Sequence, residues 1–98
     1  GNGVLKDYTK ALEWWRLSAE QDDALAQHNL GVMYQLGRGV LQNNVTAHMW
    51  YNIALANGRE KAVEWRDKVA GLMTADAIEI ATAMARKCMT TNYKKCGD

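Results

Sequence analysis

Displaced by 36 positions, the sequence overlays itself, and no other feature limits its fold so sharply. Gly1, Gly3, Val4, Leu5, Ala11 and Trp14 fall on Gly37, Gly39, Val40, Leu41, Ala47 and Trp50. Asp7 falls on Asn43, Trp15 on Tyr51, Leu17 on Ile53 and Ala26 on Ala62, each similar in size or in capping role. A period of this length belongs to solenoids built of helix pairs, in which a unit buries its apolar face only by stacking on the next.

Each unit carries helix signals. Asp7 is the expected N-cap of a first helix, with Tyr8, Ala11, Trp15, Ser18 and Ala19 along one face. Asn43 or Asn44 opens the equivalent helix, which bears Ala47, Trp50, Tyr51 and Ala54. Between them the spacing predicts a helix over about 24–35, carrying Ala26, Leu30, Gly31 and Tyr34. Gly31 inside it costs roughly 1 kcal/mol against alanine, so close approach by another backbone is the expected reason for it. Gly37 and Gly39 supply the turn that reverses the chain, because glycine reaches positive φ without a Cβ clash. Sustained period-two alternation, the mark of strands, is absent.

These residues resemble a known family. Ala26-x-x-Asn29-Leu30-Gly31-x-x-Tyr34-x-x-Gly37-x-Gly39-Val40, followed by Asn43 or Asn44, Ala47, Trp50, Tyr51, Ala54 and Gly58, is similar to the Sel-one-like repeat, a relative of the tetratricopeptide repeat. The resemblance implies an all-α fold, an α-solenoid of antiparallel helix pairs wound into a right-handed superhelix. Residues 1–23 then form the second half of a repeat, 24–59 a complete one, and 60–98 a degenerate repeat with a C-terminal cap. Two positions depart from the pattern: Gln21-Asp22-Asp23 lacks the usual glycine, and Leu55 stands where alanine is common. The opening at Gly1-Asn2-Gly3-Val4, inside a motif, suggests a piece of a longer protein.

The last third keeps the helical phase. Ala62, Val63, Trp65, Arg66, Val69 and Leu72 predict an amphipathic helix over 59–72. Thr74 is the expected N-cap of a final helix with Ala77, Ile80, Ala81, Met84 and Cys88 on its buried face. A solenoid needs such a cap to cover its last apolar surface.

Charge and cysteines bound the function. Lys plus Arg number 12 against 11 Asp plus Glu, which argues against a nucleic-acid binder. No run approaches the roughly 18 apolar residues of a membrane span. Cys88 and Cys96 on one continuous helix would stand about 12 Å apart, too far for a bridge. Met89-Thr90-Thr91-Asn92-Tyr93 is a poor helix, so the chain can fold back there and a disulfide can staple the tail. That pairing implies a bacterial periplasm or secretion; two separate thiols in a cytoplasm are the alternative. The cysteines lack a zinc spacing and the two histidines lie far upstream, so neither a metal nor another cofactor is expected. His28 or His48 could reach a cysteine in space as a Cys–His nucleophile, but a terminal staple accounts for Cys88 more simply. Gly37-Arg38-Gly39 reads as a turn rather than a phosphate loop, since it follows a helix. Three of the four tryptophans, Trp14, Trp15, Trp50 and Trp65, recur in phase and are expected in the core. Arg86, Lys87, Lys94 and Lys95 form a solvated basic tail.

What remains is surface. In the tetratricopeptide fold the first helix of each pair lines a concave groove that binds peptides. The resemblance carries that role to Leu25, His28, Val32 and Gln35, taken to point away from the packing face, and one repeat on to Lys61, Glu64 and Lys68. The function expected is a non-catalytic protein–protein interaction or scaffold module with a protein or peptide partner. The alternatives are a purely structural cap, or a β-lactamase-like enzyme as described for cysteine-rich relatives. The only serine, Ser18, has no lysine three residues on, against the serine form of that enzyme.

Overall fold

Helix formation starts earlier than Asp7. The computed structural model describes residues 2–93 and Cys96, with side chains from Tyr8 onward; Lys94 and Lys95 of the basic tail lie outside the described residues. Among the described residues there are five helices and no strand: α1 (Asn2–Ala19), α2 (Ala24–Leu36), α3 (Asn44–Ala56), α4 (Ala62–Ala70) and α5 (Ala75–Thr90). Asp7 therefore lies inside α1 and does not cap it. Its repeat mate Asn43 does cap α3, accepting from the Thr46 N–H at 3.1 Å. The start of α3 is fixed from behind, because the Asn43 N–H donates to the Tyr34 carbonyl at 2.9 Å.

The other boundaries follow local chemistry. Asp23 caps α2 by accepting from the Leu25 and Ala26 N–H groups, and Thr74 caps α5 by accepting from that of Ala77. Each cap contributes about 1 kcal/mol. Gly37 ends α2 in the left-handed conformation, φ 68°, its N–H turned back to the Met33 carbonyl. The helix expected over 59–72 is shorter, Ala62–Ala70, since residues 59–61 form the turn that leads into it.

The helices stack as a solenoid in which α1 lies against α2, α2 pairs with α3, and α4 and α5 each pack on α3. Central α3 touches α2, α4 and α5. One core cluster joins Ala19, Ala26, Leu30, Met49, Trp50, Ile53, Ala85 and Cys88, with Leu12 and Trp15 at its edge. A second joins Ala47, Tyr51 and Ala54 to Ala62 and Val69 of α4. On α5 the buried stripe is Ala81, Ala85 and Cys88, whose small side chains let the helix approach α3 closely. Ile80, expected on that face, is instead 55% exposed, one helical step around from Ala81.

Two packing expectations are corrected. Trp14 is 66% exposed although its repeat mate Trp50 is 5% exposed. Leu17 and Ile53 differ in the same way, 63% against 0%. The repeat register predicts which helical position a residue occupies, whereas burial also needs a neighbour there. Among the described residues α3 packs on α2, α4 and α5, whereas α1 packs extensively on α2 alone. Gly31 does mark a close approach, but by a ring rather than a backbone: a Cβ there would lie 2.5 Å from Cε1 of Tyr51.

The tail folds back as its sequence suggests. Asn92 and Tyr93 adopt left-handed φ of 56° and 64°, and Cys88 and Cys96 form a disulfide with their Cα atoms 4.8 Å apart.

Candidate peptide-binding face

α2 and α4, which both pack on α3, meet through rings. The imidazole of His28 lies edge-on to Trp65 of α4, centroids 5.6 Å apart, and against Tyr51 of α3 at 5.4 Å. Tyr51 is fully buried; its ring covers Gly31 and its hydroxyl donates to Oε1 of Gln35. Burial pushes its pKa far up, so it stays a neutral donor.

His28 and Gln35 therefore do not point away from the packing face. His28 is only 5% exposed, and Gln35 is half-buried and engaged by Tyr51. The reason is geometric. α2 is enclosed by α1 and α3 with Trp65 reaching in, so its buried arc runs through Ala26, Gln27, His28, Leu30, Gly31 and Met33 rather than along one stripe. Of the other candidates on α2, Leu25 is exposed. Val32 is half-buried against the cluster of Ala47 and Tyr51. Val32 also lines a cleft of about 220 Å³ between α1 and α2, with Tyr8, Trp15, Asn29, Met33 and Arg38. The Arg38 guanidinium stands 5.5 Å from the Tyr8 ring centroid at its rim.

The α4 candidates are all exposed. Lys61 stands at the N-cap position without a side-chain cap bond, and Glu64 lies in the first turn. Lys68 places its ammonium 5.7 Å from the Trp65 ring centroid, a cation–π contact. Lys61, Glu64, Trp65 and Lys68 follow a three-and-four spacing and share one face of α4.

Sequence reasoning missed Arg59 and took Trp65 for plain core. Arg59 sits in the turn after Gly58, its N–H donating to the Ala54 carbonyl at 2.9 Å. Its Nε and the Nδ1 of His28 are the two buried side-chain nitrogens or oxygens without a hydrogen-bond partner among the described residues. Burial, and then the nearby Arg59 charge, hold the His28 pKa below the usual histidine value. His48 behaves similarly on α3, lowered by burial, then by Arg66, with Asp67 opposing weakly. Nδ2 of Asn52 lies 3.1 Å from its Nδ1, and Arg66 donates to the Asn52 oxygen at 3.1 Å. An amide nitrogen can only donate, so that chain of bonds keeps Nδ1 of His48 unprotonated.

Among the described residues no three His, Cys, Asp or Glu side chains group as metal ligands, and no helix is long and apolar enough to cross a membrane. The face offers aromatic and aliphatic surface edged by lysines, which suits recognition of a chain segment.

Neither the curated proteins nor the solved structures yield a match to this sequence. A family model for the Sel1 repeat matches residues 1–23 and again 24–58. Those two segments carry the 36-residue correspondence and the α1 to α3 packing built on it, and the chain belongs to the Sel1 repeat family.

Proposed function

We propose that the chain is a non-catalytic protein-interaction module that receives a peptide segment across α2 and α4. Membership of the Sel1 repeat family supports the interaction role in general, since such repeats commonly serve as binding scaffolds. The observation that carries the particular face is the contact between His28 and Trp65, which brings α2 and α4 together. On that surface Leu25 supplies an exposed apolar contact, while Lys61, Glu64 and Lys68 supply charge. Val32 supports the α2 side. His28 and Gln35 act from beneath by fixing Trp65 and Tyr51.

The test is selection of binders from a random peptide library, followed by Leu25→Asp and Lys68→Glu in one variant. Affinity reduced at least ten-fold supports the face; unchanged affinity sinks it. The Cys88–Cys96 disulfide supports placement in an oxidising compartment, a bacterial periplasm or the cell exterior. Two free thiols in protein isolated under alkylating conditions would remove that placement.

A further inference from the structure

We infer that the cleft between α1 and α2 takes one apolar side chain of the partner peptide, while Arg38 at its rim takes the carboxylate of an aspartate or glutamate beside it; this rests on the peptide-binding reading of the α2 and α4 face. The cleft holds about 220 Å³ between the rings of Tyr8 and Trp15 on α1 and the side chains of Asn29, Val32 and Met33 on α2. Pockets for whole small molecules run to about 300–1,000 Å³, so this one fits a single anchoring side chain better than a metabolite. Its walls are aromatic and aliphatic, which selects leucine, methionine or phenylalanine as the anchor. Leu25, Asn29, Val32 and Leu36 follow a four-three-four spacing and form one stripe along α2. Leu25 and Leu36, 45% and 48% exposed, lie before and after the cleft residues on that stripe. The apolar surface therefore continues past the cleft at both ends. A segment lying along α2 passes over the cleft and lowers one side chain into it.

Charge fixes the residue beside the anchor. Neither α2 nor α3 contains an Asp, Glu, Lys or Arg, so Arg38 is the ionised side chain among those lining the cleft. The ion pair formed among the described residues joins Arg66 to Asp67 and leaves the Arg38 guanidinium without a carboxylate. Arg38 is exposed, so a carboxylate reaches it from solvent. The Tyr8 ring, 5.5 Å from the guanidinium carbon, holds the group at the rim by a cation–π contact. A guanidinium over a ring keeps N–H groups to donate in its own plane, and its fork matches the two oxygens of a carboxylate. A lysine in the same peptide position would meet like charge and be rejected.

The experiment selects peptides from a random library on the full chain and records intermolecular NOEs from each bound peptide to the ¹³C-labelled methyl groups of Val32 and Met33. The selected sequences are expected to share an apolar residue beside an acidic one, with the apolar side chain giving NOEs to both methyl groups. Arg38→Glu, at an exposed turn position, should weaken binding roughly ten-fold while the amide spectrum stays dispersed. Changing the peptide's acidic residue to lysine should weaken binding to the native chain and restore it to Arg38→Glu. Arg38→Gln, which removes the charge without reversing it, should fall between the two. Peptides that need Leu25 and Lys68 but give no NOE to Val32 or Met33 and ignore Arg38→Glu overturn the cleft and leave the α2 and α4 face standing. Peptides that seat in the cleft and need Arg38, yet tolerate Leu25→Asp with Lys68→Glu, sustain the cleft and remove that face. A library that yields no binder removes both.

Discussion

The hydroxyl of Tyr93 donates a hydrogen bond to the carboxylate of Asp22, 71 residues earlier in the chain. Asn57 joins them, its Nδ2 donating to the Tyr93 oxygen at 3.2 Å and to Oε1 of Gln27 at 2.9 Å. Nε2 of Gln27 in turn donates to the Ala19 carbonyl at 3.0 Å. The C-terminal ends of α1 and α3 are thus fastened to one another by a tail that the Cys88–Cys96 disulfide holds in place. The network is formed by polar residues at helix ends, where carbonyls and side chains otherwise turn to water.

Loss of this fastening should be measurable in two steps. Tyr93→Phe removes both hydroxyl bonds and should cost about 1–2 kcal/mol. Reducing the disulfide with dithiothreitol should cost about 2.5 kcal/mol by loop entropy. Thermal denaturation of the four combinations checks this, each kcal/mol moving Tm by about 4–8 °C. If the disulfide acts partly by presenting Tyr93, the two losses combine to less than their sum.

Asp22 should show a sign reversal. It holds φ 66° where its repeat mate, Gly58, holds φ 104°. Glycine relieves the left-handed strain by about 1 kcal/mol, yet Asp22→Gly also forfeits the Tyr93 bond. The substitution is expected to be neutral or destabilising in the native chain and stabilising by about 0.5–1 kcal/mol in the Tyr93→Phe background. Chemical denaturation of both backgrounds decides it.

Gly31→Ala is expected to destabilise by about 1–2 kcal/mol, despite a helix-propensity gain of roughly 1 kcal/mol. The added methyl would press on a Tyr51 ring that is fully buried and held by Gln35. Equal or higher stability of the variant would show that the ring can yield.

Trp14 and Trp50 occupy the same repeat position and should part company on truncation. Trp50→Ala removes a core side chain and should cost about 3–5 kcal/mol, against less than about 0.5 kcal/mol for Trp14→Ala. Urea midpoints measure both.

That contrast shows what the sequence carried and what it did not. Helix positions, the caps at Asn43 and Thr74, the glycine turn and the folded-back tail rest on local chemistry, and local chemistry is written in neighbouring residues. Burial of Trp50 but not Trp14, and of His28 but not Leu25, depends on which helices lie alongside. A single periodic stripe could not place His28, because α2 is covered on more than one side. Arg59 carried no motif at all; only its buried Nε draws notice to it.

The two histidines set the expected response to acid. His28 and His48 both have pKa values lowered by burial first, and then by Arg59 and Arg66 respectively. Protons therefore bind the unfolded chain more readily than the folded one, starting near the unfolded pKa of about 6.5. The stability these neutral rings contribute is complete above that value and is lost as pH falls through it towards the folded pKa values. Each histidine adds up to about 1.4 kcal/mol per pH unit to the slope within that window. Unfolding free energy measured from pH 7.5 to pH 5 should fall accordingly. A His28→Gln, His48→Gln double variant, whatever its absolute stability, should show a flatter profile, because its side chains no longer titrate there. A slope unchanged by the double substitution would assign the acid response to the carboxylates instead.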